Sequence, residues 1–160
     1  SFLPNGDFYV SDGYGNSRVI QYTRNGEYVR RWGRKGTGDG EFDLVHDVVA
    51  GPDGRVYVAD RTNERIQVFD RQGKFLAAWS GLGAPWGLAF AEKEKALYMC
   101  DGKNNRVVKV GLDGKVLGTL GSFGKGPGRF DFAHHMAIDS EGALYVVEIK
   151  NWRVQKFAAR

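Results

Sequence analysis

Short hydrophobic runs, separated by clusters of glycine and aspartate, recur along the whole chain, a pattern that predicts short β-strands joined by tight turns. One run occurs four times, each time with a tyrosine and with an acidic residue three positions later. The four tyrosines are Tyr9, Tyr57, Tyr98 and Tyr145. They are separated by 48, 41 and 47 residues, and each is followed by an Asn-x-Arg element. The sequence therefore contains an internal repeat of about 45 residues.

Other hydrophobic runs complete each repeat to at most four strands, here named a to d in chain order. In the second repeat, strand b contains Tyr57, and strands a, c and d are predicted at residues 47–50, 65–69 and 75–79. With residues 1–3 as the tail of a further strand a, the chain reads b-c-d, a-b-c-d, a-b-c-d, a-b-c. Four-stranded antiparallel units at this period are typical of β-propellers. A β-sandwich with chance internal similarity is the alternative, and it is disfavoured because sandwiches lack a motif repeated at a fixed period.

The predicted fold is thus all-β: a β-propeller whose blades each hold four strands. We expect one partial propeller over residues 1–160, with blade units at approximately 1–40, 41–80, 81–128 and 129–160. About three and a half to four blades are fewer than the roughly 4 to 8 of most closed rings. We therefore expect the missing blades of a longer propeller, or a second copy of the chain, to pair at the open edges.

Composition agrees with a globular chain, since 42% of the 160 residues are hydrophobic and 26% are charged. The 23 glycines suit a fold with many tight turns. No apolar run approaches the roughly 20 residues of a membrane-spanning helix, so no membrane partner is expected. The net charge of +4 comes from dispersed basic residues and is weak evidence for an anionic partner. Cys100 is the single cysteine and cannot form an internal disulfide.

Two glycine-rich linkers, at residues 33–42 and 121–130, each place a histidine four residues after a phenylalanine. These histidines are His46 and His134, and Trp86 takes their place in the intervening repeat. Strand a lines the axis of a propeller, and alternate blades of a six-bladed ring lie roughly 120° apart, so three such histidines would bind zinc and leave one position open. The third histidine is expected upstream of Ser1. The alternative is that each histidine only opens a strand and bonds to the linker backbone.

The loops between strands b and c are predicted at the same face as these linkers, and they differ between repeats. The first, residues 12–16, is one residue longer than the others and carries Tyr14, while the second carries Arg61. A phenol beside a metal can act as a base, and a guanidinium can hold a carboxylate by two contacts. The alternative, that Tyr14 packs and Arg61 is solvated, stays open. The acidic, Asn and Arg residues common to all repeats are predicted to stabilise turns.

The repeated Tyr-Val-x-Asp and Asn-x-Arg elements, with the glycine-rich linkers, resemble NHL repeats over essentially the whole chain. The segments 9–18 and 58–61 and the linker before His46 are also similar to peptidyl-α-hydroxyglycine α-amidating lyases. That resemblance implies a six-bladed, zinc-dependent enzyme that cleaves a C-terminal α-hydroxyglycine into a peptide amide and glyoxylate. By motif, it implies zinc binding by His46 and His134, catalysis by Tyr14 and an active-site role for Arg61. It also implies an accompanying calcium site and an extracellular or periplasmic location.

The sequence departs from the pattern of this lyase family at identifiable positions. Gly15 stands where animal members have a cysteine, and His135 stands where an aspartate usually follows the zinc histidine. The family's first zinc histidine and a second active-site arginine belong to blades before Ser1. A carbon–nitrogen lyase is therefore the leading hypothesis. The alternative is a non-catalytic NHL propeller that binds protein or RNA, the latter permitted by the positive net charge.

Overall fold

The computed structural model describes residues 1–158, and these fold into four antiparallel β-sheets. The chain divides into two compact units, Ser1–Gly81 and Leu82–Arg160, each with two sheets. In the first unit, one sheet contains β1 (Phe8–Asp12), β2 (Arg18–Tyr22) and β3 (Tyr28–Trp32), and the other contains β4 (Val45–Ala50), β5 (Arg55–Asp60), β6 (Arg65–Asp70) and β7 (Phe75–Ser80). In the second unit, one sheet contains β8 (Pro85–Ala91), β9 (Ala96–Asp101), β10 (Arg106–Gly111) and β11 (Val116–Leu120), and the other contains β12 (Ala133–Ile138), β13 (Leu144–Glu148) and β14 (Arg153–Phe157).

The strand order in every sheet follows the chain, so each strand pairs with its sequence neighbours. The sheets contain three, four, four and three strands, which confirms the predicted reading b-c-d, a-b-c-d, a-b-c-d, a-b-c. Residues 1–3 also lie as predicted, because Phe2 forms an antiparallel bridge to Phe8 and the Tyr9 N–H donates to the Ser1 carbonyl over 2.8 Å. Across residues 1–158, no helix has the length and apolar character needed to cross a membrane.

Strand β4 begins at Val45, two residues before the predicted start of strand a at residue 47, and each of the strands β4, β8 and β12 contains a β-bulge. In β4 the pairing with β5 passes from Val45 to Asp47 and omits His46. The same interruption omits Trp86 in β8 and His134 in β12. A bulge turns one side chain away from the regular alternation of a strand. The bulge residue is therefore the position at which the repeats carry either histidine or tryptophan, and its side chain leaves the regular alternation of the strand.

The linker phenylalanines occupy the cores of the two units. Phe42 is fully buried against Phe69 in the first unit, and Phe130 is fully buried against Phe157 in the second. Both linkers fold alike, since each phenylalanine exchanges backbone hydrogen bonds with the residues that start its linker. Burial of such a ring stabilises the fold by about 1.5–3 kcal/mol. The buried phenylalanine thus fixes the position of each linker just before strand β4 or β12.

The repeated acidic residue at the end of each b strand holds the following turn. The carboxylate of Asp60 is fully buried and accepts hydrogen bonds from Asn63 (2.9 Å), Arg65 (2.7 Å) and Gln67 (3.1 Å). It also accepts the backbone N–H of Asp43 in the linker, at 2.8 Å. Pairs equivalent to Asp60–Arg65 occur in every sheet: Asp12–Arg18, Asp101–Arg106 and Glu148–Arg153. The predicted structural role of these residues is confirmed.

Acid should destabilise the fold partly through Glu148. Burial acts to raise the pKa of this carboxyl, but the hydrogen bonds from Arg153, the Asp131 N–H, Asn151 and Gln155 together hold it below its ordinary value of 4.5. A carboxyl whose pKa is lower in the folded state contributes stability above the unfolded pKa and loses it as the pH falls through the folded pKa. The free energy of unfolding should therefore decrease below about pH 4.5.

Urea unfolding followed by tryptophan fluorescence from pH 7 to about pH 3 measures this loss. Glu148→Gln should show a weaker pH dependence than the parent chain, because it removes one titrating group. Glu141→Gln, at an exposed position, is the matched control and should keep the parent's pH dependence. An unchanged slope in Glu148→Gln would contradict the prediction.

Candidate functional site

Three of the four predicted site residues meet in the first unit. The Tyr14 hydroxyl lies 3.2 Å from Nε2 of His46, within hydrogen-bond distance. The Arg61 guanidinium carbon lies 5.8 Å from the centre of the Tyr14 ring, a cation–π contact. Tyr14 follows β1, whereas His46 lies in β4 and Arg61 directly follows β5, two strands of the other sheet in this unit. The packing of the two sheets therefore assembles a phenol, an imidazole and a guanidinium at one place.

The loop that carries Tyr14 can reach His46 because it has a glycine at position 13. A Cβ atom on Gly13 would lie 1.8 Å from the carbonyl oxygen of Val45, the residue before His46. Only a residue without a side chain allows the loop to lie this close to the start of β4. The loop is also held by Asp12, which accepts hydrogen bonds from Asn16 and Arg18. The Asn16 amide and then the Arg18 guanidinium keep the pKa of the Asp12 carboxyl below its usual value.

The backbone around His46 and Arg61 is fixed by hydrogen bonds between the linker and the loop after β5. The Arg61 N–H donates to the Leu44 carbonyl at 3.1 Å, and the Thr62 N–H donates to the Asp43 carbonyl at 3.0 Å. Leu44 has a positive φ of 69°, which is uncommon for a leucine and turns the chain into the bulge at His46. Arg61 and His46 are thus positioned by one local network.

This site can exchange protons and bind an anion at the surface. The Tyr14 side chain is 76% exposed, and His46 and Arg61 are partly buried. An imidazole and a phenol in contact can transfer a proton to or from a bound molecule. The neighbouring guanidinium carries a permanent positive charge and suits a carboxylate. The geometry is therefore suited to acid–base chemistry on an anionic ligand.

His134, the fourth predicted residue, occupies the equivalent bulge in the second unit. Its ring centre lies 5.2 Å from that of Trp86, the bulge residue of β8, and Trp86 packs edge-on against Phe132 at 4.6 Å. The Ile149 N–H donates to the Phe132 carbonyl at 3.1 Å, which matches the Arg61–Leu44 bond of the first unit. His134 is partly buried and the adjacent His135 is exposed. The backbone around His134 is therefore like that around His46, but the neighbouring ring is Trp86, whereas the neighbour of His46 is Tyr14.

The donor types at the two bulges suit zinc, because neutral imidazole nitrogens are common zinc ligands. Within residues 1–158, no group of three or more His, Cys, Asp or Glu side chains is arranged to hold a metal ion. His46 belongs to the first unit and His134 to the second, so each bulge offers one imidazole. The residues thus fit as members of a zinc site and need a further ligand to complete one.

Sequence comparison relates the chain to two groups of proteins. Residues 42–69 match the family model described as NHL repeat. Human NHL repeat-containing protein 3 is 33% identical over 166 residues, which cover 95% of this chain and 46% of the human protein. Peptidyl-glycine alpha-amidating monooxygenase A of Xenopus laevis is 30% identical over 178 residues, which cover 96% of this chain and 18% of that protein. Peptidyl-alpha-hydroxyglycine alpha-amidating lyase 1 of Drosophila melanogaster is 27% identical over 183 residues, with coverage of 99% and 34%.

Structural comparison gives the fold. Virginiamycin B lyase from Staphylococcus aureus matches with a TM-score of 0.70 and 13% identity, over 99% of this chain and 54% of that chain. A protein of unknown function from Bacteroides caccae matches with a TM-score of 0.75 and 14% identity, over 98% and 61%. Both are β-propeller proteins. The fold class is thus an all-β propeller, and the predicted resemblance to NHL repeats and to the amidating lyases is confirmed. The chain spans less than half the length of each sequence relative named above.

Two features that shape the site were not predicted from the sequence. The bulges depend on pairing between strands, which no single strand displays. The role of Gly13 had a signal in the repeat, because Gly102 follows Asp101 as Gly13 follows Asp12. In the second unit, a Cβ on Gly102 would lie 2.8 Å from the carbonyl oxygen of Ala133, the residue before His134. The glycine after the acidic residue therefore lets both loops lie against the start of an a strand.

Gly13→Ala should displace the Tyr14 loop and destabilise the chain by about 1–3 kcal/mol, the usual cost of forcing an extra carbon into close packing. Gly15→Ala is the matched control, because no atom lies within 4 Å of a Cβ at that position, and it should change stability by less than about 0.5 kcal/mol. Urea unfolding measures both, and NMR contacts between Tyr14 and His46 should disappear only in Gly13→Ala. Equal stability of the two variants would show that the loop does not need glycine at position 13.

Proposed function

We propose that the chain contributes to a zinc-dependent lyase centre that cleaves peptidyl-α-hydroxyglycine into a peptide amide and glyoxylate. The observation that supports this proposal is the convergence of Tyr14, His46 and Arg61 in the first unit. These residues belong to separate motifs of the sequence. The Drosophila relative, whose name states this activity, matches along 99% of the chain.

In this proposal, His46 and His134 bind the metal through ring nitrogens, with a further histidine supplied from outside the chain. Zinc is preferred over calcium, because calcium takes oxygen ligands and both donors are imidazoles. When bound, zinc would supply Lewis-acid polarisation of the substrate's hydroxyl oxygen. Each imidazole sits on a bulge whose backbone is anchored by the linker, so its position within its own unit is fixed.

Tyr14 is the proposed base. As a phenolate it takes the proton of the substrate's hydroxyl, the carbon–oxygen double bond of glyoxylate forms, and the bond from that carbon to the amide nitrogen breaks. Tyr14 then returns the proton to the nitrogen, which gives the peptide amide and restores the phenolate. The exposed position of Tyr14 allows a peptide to approach, and its contact with His46 places it beside the proposed metal ligand.

Arg61 is the proposed carboxylate anchor. The substrate carries a carboxylate on the carbon that reacts, and a guanidinium can bind both its oxygens. The Arg61 side chain lies over the Tyr14 ring, so an anchored carboxylate would hold the neighbouring hydroxyl close to the phenol. Positioning of this kind accounts for much of the rate enhancement in reactions that need aligned groups.

Tyr14→Phe should reduce kcat for glyoxylate release from a peptidyl-α-hydroxyglycine substrate by about 100-fold or more, because it removes the base and keeps the ring. The assay uses the chain with added zinc and free imidazole, which takes the place of the further histidine. Tyr28→Phe is the control, since Tyr28 is also exposed, at 60%, but lies on β3. Unchanged turnover in Tyr14→Phe would refute its role as the base, and absence of turnover in the parent chain under these conditions would contradict the proposed lyase centre.

Zinc binding tests the ligands separately from catalysis. His46→Ala and His134→Ala should each weaken zinc affinity by about tenfold or more, measured by titration and metal analysis, because each removes one ligand. His135→Ala, one residue from His134 and exposed, should leave the affinity unchanged. If all three variants behave like the parent, His46 and His134 are not zinc ligands, and a binding propeller for protein or RNA becomes the better interpretation.

A further inference from the structure

The second unit contains an apolar counterpart of the candidate site in the first unit. In both units a histidine occupies the bulge, and the residue two positions before it has a positive φ, 69° at Leu44 and 64° at Phe132. The first residue of the loop between strands b and c, Arg61 or Ile149, donates its backbone N–H to the carbonyl of that residue at 3.1 Å. The backbone is therefore alike at the two places, and the side chains differ.

The side chains around His134 are apolar at the positions where the first unit carries polar groups. Trp86 lies beside the His134 ring, with 5.2 Å between the ring centres, whereas a tyrosine hydroxyl neighbours the histidine of the first unit. Ile149 takes the position of Arg61. The second unit thus keeps the imidazole and replaces the phenol and the guanidinium with an indole and a branched aliphatic chain.

Trp86, Phe132 and Ile149 form an apolar surface next to His134. The Trp86 and Phe132 rings pack edge to face, and the Phe132 carbonyl accepts the Ile149 N–H. Ile149 is 47% exposed, and both rings are partly exposed. A ligand that lies beside the His134 imidazole would therefore meet chiefly carbon atoms. Contact with such a surface is favourable for an apolar group, because it removes that group from water.

The Trp86 ring is held in place by packing on more than one side. Its centre lies 4.6 Å from that of Phe132, and a Cβ atom on Gly102 would lie 2.9 Å from its Cδ1 atom. Lys150 borders the surface, with its ammonium 5.6 Å from the centre of the Phe132 ring and 3.9 Å from a carboxylate oxygen of Asp131. The apolar surface is thus already formed before a ligand binds, which reduces the entropy lost on binding.

The chemistry of the proposed substrate assigns one of its groups to this surface. The reacting carbon carries a carboxylate, a hydroxyl and the amide nitrogen of the peptide. In the proposed function, Arg61 anchors the carboxylate and the hydroxyl lies at the metal bound by His46 and His134. The amide nitrogen and the residue before it must then lie elsewhere around the metal. The surroundings of the ligand His134 are apolar, so they suit an apolar side chain of that residue.

We propose that Trp86, Phe132 and Ile149 bind the side chain of the residue that precedes the hydroxyglycine. The substrates are then peptides with an aromatic or large aliphatic residue at this position. This proposal rests on the lyase function proposed above, because that function places His134 beside the substrate. Trp86 and Ile149 are specificity-determining residues in this arrangement and take no part in bond cleavage.

The preference among peptides tests the proposal, using the 160-residue chain with added zinc and free imidazole. N-acetylphenylalanyl-α-hydroxyglycine should be cleaved with a kcat/KM about tenfold higher than N-acetylalanyl-α-hydroxyglycine, because the surface removes the larger side chain from water. Ile149→Arg should reduce this ratio by about threefold or more, since it introduces the guanidinium of the first unit. The same variant should favour N-acetylglutamyl-α-hydroxyglycine over the alanyl substrate by about threefold.

Leu117→Arg is the matched control for Ile149→Arg. It replaces an aliphatic side chain with the same charged group at a position of the second unit that is 59% exposed, on strand β11. This variant should keep the parent's ratio of kcat/KM values for the phenylalanyl and alanyl substrates. Equal effects of the two substitutions would overturn the proposal, because a change caused by charge alone does not require the apolar surface.

Binding without turnover separates this proposal from the lyase function. N-acetylphenylalanylglycine and N-acetylalanylglycine lack the hydroxyl group and are not cleaved, so calorimetry measures their affinities directly. The phenylalanyl peptide should bind the parent about tenfold more tightly than the alanyl peptide. Trp86→Ala should weaken binding of the phenylalanyl peptide by about threefold or more and change that of the alanyl peptide by less than about twofold. Circular dichroism checks that this variant folds, and Ile149→Arg serves as the second variant.

The possible results distinguish the two proposals. Equal affinity of the parent for the two glycine peptides, or no saturable binding of either, would overturn the apolar surface even if the chain is an active lyase. Tighter binding of the phenylalanyl peptide that Ile149→Arg abolishes, in a chain without turnover, would support the surface and refute only the lyase chemistry.

Discussion

The hydrogen-bonded carboxylate at the end of each b strand, buried in three of the four sheets, is the interaction on which the rest of this fold depends. Asp60 shows its effect most fully, because it is completely buried and accepts four hydrogen bonds, three from side chains of the following turn and strand and one from the linker at Asp43. An unpaired charge at this depth would be strongly destabilising, so turn, strand and linker must all be in place together. A similar arrangement recurs at Glu148, which accepts the Asp131 N–H. In each sheet, the repeated sequence motif therefore supplies both this carboxylate and an arginine that donates a hydrogen bond to it.

The same constraint positions the candidate site. Asp43 and Asp131 each lie three residues before a bulge histidine, so the bond that satisfies the carboxylate also fixes where His46 and His134 leave their strands. The first residue of the loop after the carboxylate donates its backbone N–H to a carbonyl of the linker. This hydrogen bond positions Arg61 in the first unit and Ile149 in the second. Repeats that share these backbone hydrogen bonds can therefore carry different side chains at the same positions. The site is built by variation at positions whose backbone geometry is already determined.

The sequence by itself determined the strand content, the repeat, the order of strands in each sheet and the choice of Tyr14, Arg61, His46 and His134. It could do so because alternating hydrophobicity and repeated turn residues act locally, and because four copies of one motif reinforce each other. Only the tertiary structure decided that Tyr14 touches His46 and Arg61, that the histidines sit on bulges, and that Trp86 lies beside His134. These facts arise from contacts between residues far apart in the chain. Their geometry depends on how two sheets pack. Side-chain volume and strand register together determine this packing, and no single segment of the sequence contains that information.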